Sequence, residues 1–383
     1  MPQPTGLSTR GCSRQALNWL SRLWGEQMDF AGLAKKYQNF YAPRFQVLVA
    51  GTDVAKNKLV EITGVTVEDV LDGADRFSFS FSDPGAKWLD SGLFDPGREV
   101  EIKMGYLDRL TTMLVGEIIS LQPSFPAGGT PELEVSGYDL SHQFTRVRRE
   151  RTFREMKDSQ VAASVAGEAK HKLKTDIEDT ATVHPVIVQS RQTDFEFLTE
   201  LAQRNFFKFT VRERTLYFKR LQGANEVAVS MEYGRSLLSF TPELNISGQV
   251  SEVTVRGWNP RTREAIIGRA RRGSEEGREQ QRSSGGEMVE NIYGAVEERV
   301  LDRPVFSRQE ADSLALAILN RLAEGLIKGD GGCIGLPEIR AGVVVELKGL
   351  GQKFSRRYRV ESSTHTMGSS GYATNFRVKE NTV

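Results

Sequence analysis

Phe77-Ser-Phe79-Ser-Phe81-Ser82 alternates aromatic and hydroxyl side chains without a break and stops at Asp83-Pro84. A period of two puts the three phenylalanines on one face and the three serines on the other, the pattern of a strand buried on one side, and Asp-Pro ends it. Residues 45–49, 100–104, 113–119 and 133–135 read in the same way on either side, with Pro96-Gly97 and Gly128-Gly129 as turns between them. Residues 43–146 are therefore expected to form a first antiparallel β-barrel. A second strand-rich region, residues 223–383, is expected to form another.

Between them, residues 147–222 mix periods. Val161, Ala162, Val165 and Ala166 share one helical face behind a cap at Asp158 or Ser159, and Phe195, Leu198, Leu201 and Ala202 share another over 193–204. Strands at 206–211 and 215–218 then flank Arg212-Glu213-Arg214, so this stretch reads as a small α/β domain. In the second strand-rich region, residues 269–291 hold almost no large apolar side chains and are expected to be a flexible loop. A helix over 307–328 opens with the capping box Ser307-Arg-Gln-Glu310.

Two segments echo across the strand-rich regions. Glu132 to Asp139 matches Glu252 to Asn259 as Glu, apolar, x, Val, x, Gly, aromatic, Asx, and 97–103 resembles 342–348. The order of the pairs is reversed, and short strand motifs also recur by chance.

Residues 1–42 form an N-terminal helical arm of two short amphipathic helices. Leu20, Leu23 and Trp24 lie on one face of the first, and Phe30, Leu33 and Tyr37 on one face of the second. These six apolar residues form a candidate partner-docking surface, and removal of residues 1–41 is expected to leave a folded chain that assembles poorly. The expected fold class is thus β-rich α+β: two antiparallel β-barrel domains, a small α/β domain between them, and a helical arm.

Composition narrows the function. At 383 residues the chain is long enough for two or three domains, by a prior of about 150 residues each. Lys+Arg 51 against Asp+Glu 50 leaves a net charge of +1, which argues against a protein that coats nucleic acid or an anionic membrane. Two cysteines, Cys12 and Cys333, can build neither a disulfide framework nor a four-ligand zinc site, and they suit a reducing compartment. No window approaches the roughly 18 consecutive apolar residues of a membrane span, and no basic stretch leads into an apolar run as a secretory leader requires.

The search for chemistry finds little. His142, His171, His184 and His365 lack any metal-ligand spacing, and no G-x-S-x-G elbow or Walker sequence occurs. Asp72 and Asp75 beside a glycine read as a turn rather than a catalytic carboxylate pair. Gly349-Leu-Gly351 begins like a dinucleotide fingerprint, but Phe354 stands where the third glycine belongs. Catalytic residues, metal ligands and cofactors are therefore all expected to be none.

One resemblance runs through residues 43–383. Gln189 to Ala202 followed by Leu216-Tyr-Phe218, Val253 to Pro260, Glu310-Ala311, Gly335-Leu-Pro337, Gly349-Leu-Gly351, Tyr358-Arg-Val360, His365 and Gly371 to Phe376 occur in family order. This series resembles the phage late control D family, also seen in the hub half of valine-glycine-repeat (VgrG) spike proteins. The resemblance implies a non-enzymatic baseplate hub: a homotrimer that adapts a hexameric inner tube to a trimeric spike. Its partners would be the inner tube ring, a separate spike or needle protein and other baseplate subunits, with no membrane anchoring and no specific nucleic-acid binding. It implies assembly in the bacterial cytoplasm and then a place in a phage tail or a tail-like particle. The alternative from another class is a cell-wall hydrolase at the tail tip.

Overall fold

In a computed structural model, which describes residues 29–56, 60–221, 226–259, 262–278 and 282–383, the three phenylalanines stack in the interior. Phe77 lies 6.2 Å from Phe79, and Phe79 lies 6.3 Å from Phe81. They belong to the first strand-rich region, which holds β1 (Pro43–Val49), β2 (Thr52–Asp53), β3 (Ile62–Val70), β4 (Arg76–Ser82), β5 (Glu99–Tyr106), β6 (Arg109–Ser124) and β7 (Glu132–Asp139). The middle region follows with β8 (Arg148–Lys157), β9 (Lys174–Ile177), β10 (Val183–Thr193), β11 (Lys208–Arg212) and β12 (Thr215–Lys219). The last region holds β13 (Val227–Glu232), β14 (Leu237–Leu244), β15 (Glu252–Asn259), β16 (Glu264–Arg271), β17 (Glu297–Val300), β18 (Ile327–Ile334), β19 (Val344–Lys348), β20 (Arg356–Gly368) and β21 (Gly371–Glu380). The chain is β-rich α+β.

The two strand-rich regions are joined into one sheet of 13 strands. Its order is β14-β18-β21-β20-β3-β4-β7-β6-β5-β1-β2, with β19 also on β20 and β13 on β19. The joint is β3 on β20, antiparallel from Ser362 opposite Val70 to Gly368 opposite Gly64. On either side of it stands the hairpin partner of each strand, β4 and β21; beyond them the two halves differ, with β7-β6-β5-β1-β2 on one side and β18-β14 on the other. One hydrophobic core serves both halves, with Phe77, Phe79 and Ile102 from the first and Tyr358, Phe376 and Val378 from the second.

The echo between 132–139 and 252–259 corresponds to two strands of equal length, β7 and β15, in different sheets. β7 lies inside the large sheet, whereas β15 lies in a separate sheet, β16-β15-β17. The helix over Arg308–Ala323 packs on β15 and β16 of that small sheet.

The helices follow local signals. Helix α1 (Phe30–Lys36) is capped by Asp29, whose carboxylate accepts from the Gly32 amide at 2.8 Å. Helix α2 (Asp158–Gly167) and helix α3 (Asp194–Arg204) pack in the middle region, the second behind a Thr193–Glu196 capping box. Helix α4 (Gly285–Tyr293) opens with another capping box, Ser284–Glu287, and helix α5 (Arg308–Ala323) is capped by Ser307. A final turn, α6 (Gly351–Phe354), follows β19. Gly268 lets α5 lie directly on β16, because a Cβ there would come within 2.2 Å of the Ala311 backbone.

Two expectations are corrected. The stretch 269–291 is structured wherever it is described: β16 runs to Arg271, Ser284 is buried and bridges to Thr382, and α4 buries Val289. Arg272 pairs with Glu290 and, at 3.8 Å, with Glu287, so charge pairs and a cap supply what apolar side chains do not.

The arm is the second correction. Leu33 and Tyr37 are buried in the chain's own core, where Tyr37 lies 5.2 Å from the ring of Tyr106 and Phe30 stacks on Phe40 at 5.4 Å. The Tyr37 hydroxyl donates to Glu338 at 2.7 Å, and Lys36 pairs with the same carboxylate at 2.8 Å. These residues hold α1 to its own chain rather than offering it to a partner, and the expectation that residues up to 41 are dispensable for folding fails for α1. Leu20, Leu23 and Trp24 lie outside the described residues. Replacing the fully buried Leu33 by alanine is expected to lower unfolding free energy by about 2–5 kcal/mol in a denaturant titration of the isolated chain. A change below about 0.5 kcal/mol, the size of an ordinary surface substitution, would mean that α1 is not part of the core.

Candidate functional site

Asp75 lies in the loop between β3 and β4, as the sequence indicates, and its side chain reaches inward. Its carboxylate accepts from the Val70 amide at 2.9 Å and lies 4.0 Å from Arg340, in a buried cluster with Asp69 and Asp139. Arg340 pairs with Asp69 and donates to the Met113 carbonyl at 2.7 Å, so one guanidinium ties the 335–341 segment of the second half to β3 and β6 of the first. Arg212 of β11 stands 3.8 Å from Asp69 and also donates to the Ala341 carbonyl. Asp72 remains at the surface, paired with Lys208 at 2.8 Å.

The three carboxyls differ in charge because their neighbours differ. Burial opposes the charge of Asp69, but the guanidinium groups of Arg340 and Arg212 outweigh it and hold the carboxyl below the usual range. Burial raises Asp75 well above that range, and the nearby charges of Asp69 and Asp139 push the same way. Asp139 is pushed up to about 7, chiefly by burial, against hydrogen bonds from Ser141 that favour its charge. Asp69 therefore holds its charge against Arg340, while the other two carboxyls are pushed towards their neutral forms, the arrangement expected of a buried fastening.

His365 completes this interior. Its Nε2 lies 2.9 Å from the Ile339 carbonyl, which can only accept, so Nε2 carries the proton and Nδ1 accepts from the Tyr372 hydroxyl at 3.0 Å. Burial, with the charge of Arg340, lowers its pKa to about 4 and keeps it neutral. These groups fasten strands; buried and engaged with one another, they present no nucleophile or acid–base pair to solvent. Among the described residues, no group of three or more His, Cys, Asp or Glu side chains is placed to hold a metal ion.

The other histidines take three different settings. His142 stacks on Tyr138 at 4.8 Å, and His171 meets Glu117 at 2.6 Å. His184 is held between Asp158 at 3.5 Å and Glu310 of α5 at 3.2 Å, with Arg204 on the far side of Asp158. Sequence reasoning missed this bridge, because its members are scattered from 158 to 310 and no spacing announces it.

The outer face of the large sheet is the other distinctive surface. In register, Ala373, Thr366, Thr66, Ser78, Ser136 and Ser120 stand side by side on six neighbouring strands, none of them buried. The serines that alternate with the phenylalanines thus continue as a row of small polar groups across the joint between the halves. At one end of the strand order, β14 contains Pro242 and leaves Leu238 exposed, features of an edge strand. At the other end stand β1 and the two-residue β2.

Comparison with solved structures places this fold among tail proteins. The 43 kDa tail protein of prophage MuSo2 from Shewanella oneidensis superposes with a TM-score of 0.66 at 13% identity, covering 88% of this chain and 98% of that one. A tail protein from Neisseria meningitidis MC58 gives 0.65 at 14% identity, covering 89% and 97%. An Escherichia coli component of the type VI secretion system, itself described as similar to bacteriophage T4 tail proteins, gives 0.55 at 11% identity, covering 87% and 76%. The chain has the fold these proteins share. No curated protein sequence matches it significantly. Residues 42–368 match the family model of the Alg8 N-terminal domain, and the chain belongs to that family.

The buried cluster can be tested by titration. The unfolded carboxyl of Asp139 has the ordinary pKa of about 3.9, so the stability its neutral form contributes is full below about pH 4 and is lost as pH rises through about 7. Asp139→Asn cannot ionise. The variant is expected to match the parent near pH 4 and to exceed it at pH 8 by on the order of 1–3 kcal/mol in chemical denaturation. Arg340→Met leaves Asp69 buried without its main partner and is expected to cost about 3–5 kcal/mol at pH 7.

Proposed function

We propose that this chain is the structural hub of a baseplate, in which three copies adapt a hexameric inner tube to a trimeric spike in a phage tail or a tail-like injection machine. The observation that carries the proposal is the large sheet, in which a half of seven strands and a half of six meet at one central joint, each with its hairpin partner beside it, and share one core. Three chains of that kind present six sheet halves, so one surface of the assembly can meet a six-fold ring while the whole keeps three-fold symmetry. The edge at β14 supports assembly through further strand or side-chain contacts, since an exposed edge invites pairing with another chain. The row of small polar groups supports a smooth wall around the axis of such a ring.

The fold shared with phage tail proteins and a type VI secretion component supports the same function. So does the inward, mutually engaged placement of the cluster at Asp69, Asp75 and Asp139, which serves cohesion rather than turnover. The partners would be the tube ring, the spike and neighbouring baseplate subunits, met in the bacterial cytoplasm during assembly.

Oligomeric mass tests this. Native mass spectrometry over rising concentration is expected to show a three-chain species, and Leu238→Lys, which places a charge on the β14 edge, is expected to shift it towards single chains. A dimer or a hexamer as the assembled form would overturn the proposal.

A further inference from the structure

The middle region, residues 148–219, is attached unequally to its two neighbours. Towards the first half it shares an apolar core: Val115, Leu140 and Phe144 pack with its own Phe197, Leu198 and Phe209, and Phe144 meets Phe209 edge-on at 5.9 Å. Contacts on that side add Lys208 with Asp72 at 2.8 Å and His171 with Glu117 at 2.6 Å.

Towards the second half the contact is of another kind. Three cavities of about 440, 200 and 380 Å³ lie along this seam. One opens between Asp158, His184 and Arg204 on the middle region and Asp302, Glu310 and Leu314 before and on α5. The next lies between Gln203 and Phe207 on one side and Ala317 and Arg321 on the other. The third lies between Phe206 and Arg220 on one side and Glu276, Glu324 and Lys379 on the other. No apolar cluster spans this seam, although α3 lies against α5; the ion pairs across it are His184 with Glu310 at 3.2 Å and, just past β12, Arg220 with Glu276 at 3.3 Å. Close packing holds protein interiors together, and a seam broken by voids, with one buried bridge at His184 and one exposed pair at Arg220, holds less firmly. Arg212, between Asp69 and the Ala341 carbonyl, stands at the end of the seam where it meets the buried cluster.

We propose that residues 148–219 form a hinged lobe that moves with the first half and swings away from α5 and the C-terminal strands, opening the charged seam about a pivot near Arg212. This is a property of the single chain and does not depend on the hub function. The state of His184 adds a second control. Burial and the charge of Arg204 push its pKa down, but hydrogen bonds to Asp158 and Glu310 outweigh them and raise it to about 9. Glu200, Asp302 and Arg303 are the other charged groups lining that cavity. The bridge to Glu310 is therefore present below about pH 6.5 and is lost as pH rises through about 9.

The experiment is a pair of spin-label distances in the full chain, with Cys12 replaced by serine. One pair spans the seam, Ser164→Cys on α2 with Gln309→Cys on α5; the control joins Ser164→Cys to Asp108→Cys in the first half. All three positions are exposed. Raising salt from about 0.05 to about 1 M shortens the screening length from about 14 to about 3 Å, and is expected to add a longer population to the seam pair while leaving the control unchanged. Glu310→Gln, which keeps a capping side chain, is expected to do the same at low salt. A seam distance unmoved by both treatments would overturn the proposal. Lengthening of both pairs together would overturn it as well, because the lobe would then not be moving with the first half.

Discussion

The large sheet depends on one pairing, β3 against β20. Remove it and the first and last thirds of the chain become two open sheets with exposed edges, since β3 has β4 on its other side and β20 has β21 and β19. The pairing is reinforced from behind by Arg340, whose guanidinium reaches Asp69 on β3 and the Met113 carbonyl on β6 from the second half. A charge buried this deeply stabilises only while its partner stays in place, so the fastening fixes the relation of the halves more than it adds net stability.

That constraint orders the rest. With the halves fixed, α1 closes one end of the shared core through Tyr37 and Glu338, and the middle region finds an apolar seat only on the first half. On the other side it meets charge and voids. The middle region is thus seated on an apolar core on one side and on a seam of cavities and ion pairs on the other.

Much of the fold was legible where a local pattern decides. Phe77 to Ser82 announced its strand because burial on one face forces the period, and Thr193–Glu196 and Ser307–Glu310 announced helix starts because a cap is a contact between near neighbours. The helix behind Ser284–Glu287 carried the same signal, but the polar composition around it pointed to a loop; what composition cannot show is that Gly285 and Gly286 pack close to Gln249 and Val250. Leu33 and Tyr37 showed their amphipathic face but not its destination, because the partner, Glu338, lies some three hundred residues away. Separations of 271 and 126 residues likewise hid Asp69–Arg340 and the His184–Glu310 bridge. Long-range charge pairs leave no period in a sequence.

The joint between β3 and β20 also sets a timetable. β3 is made well before its partner strand, because Ser362, opposite Val70, follows it by about 290 residues. At about 5–20 residues per second, β3 waits some 15–60 s with one edge unpaired and the apolar face of Val65 and Val67 short of its final cover. The Ser and Thr side chains of its neighbours keep the opposite face soluble during that interval, but the edge itself is open to pairing with the nascent chains of adjacent ribosomes. The decisive step of folding therefore waits for β20, and the yield of this protein in a cell should be governed by what shields that edge until β20 arrives.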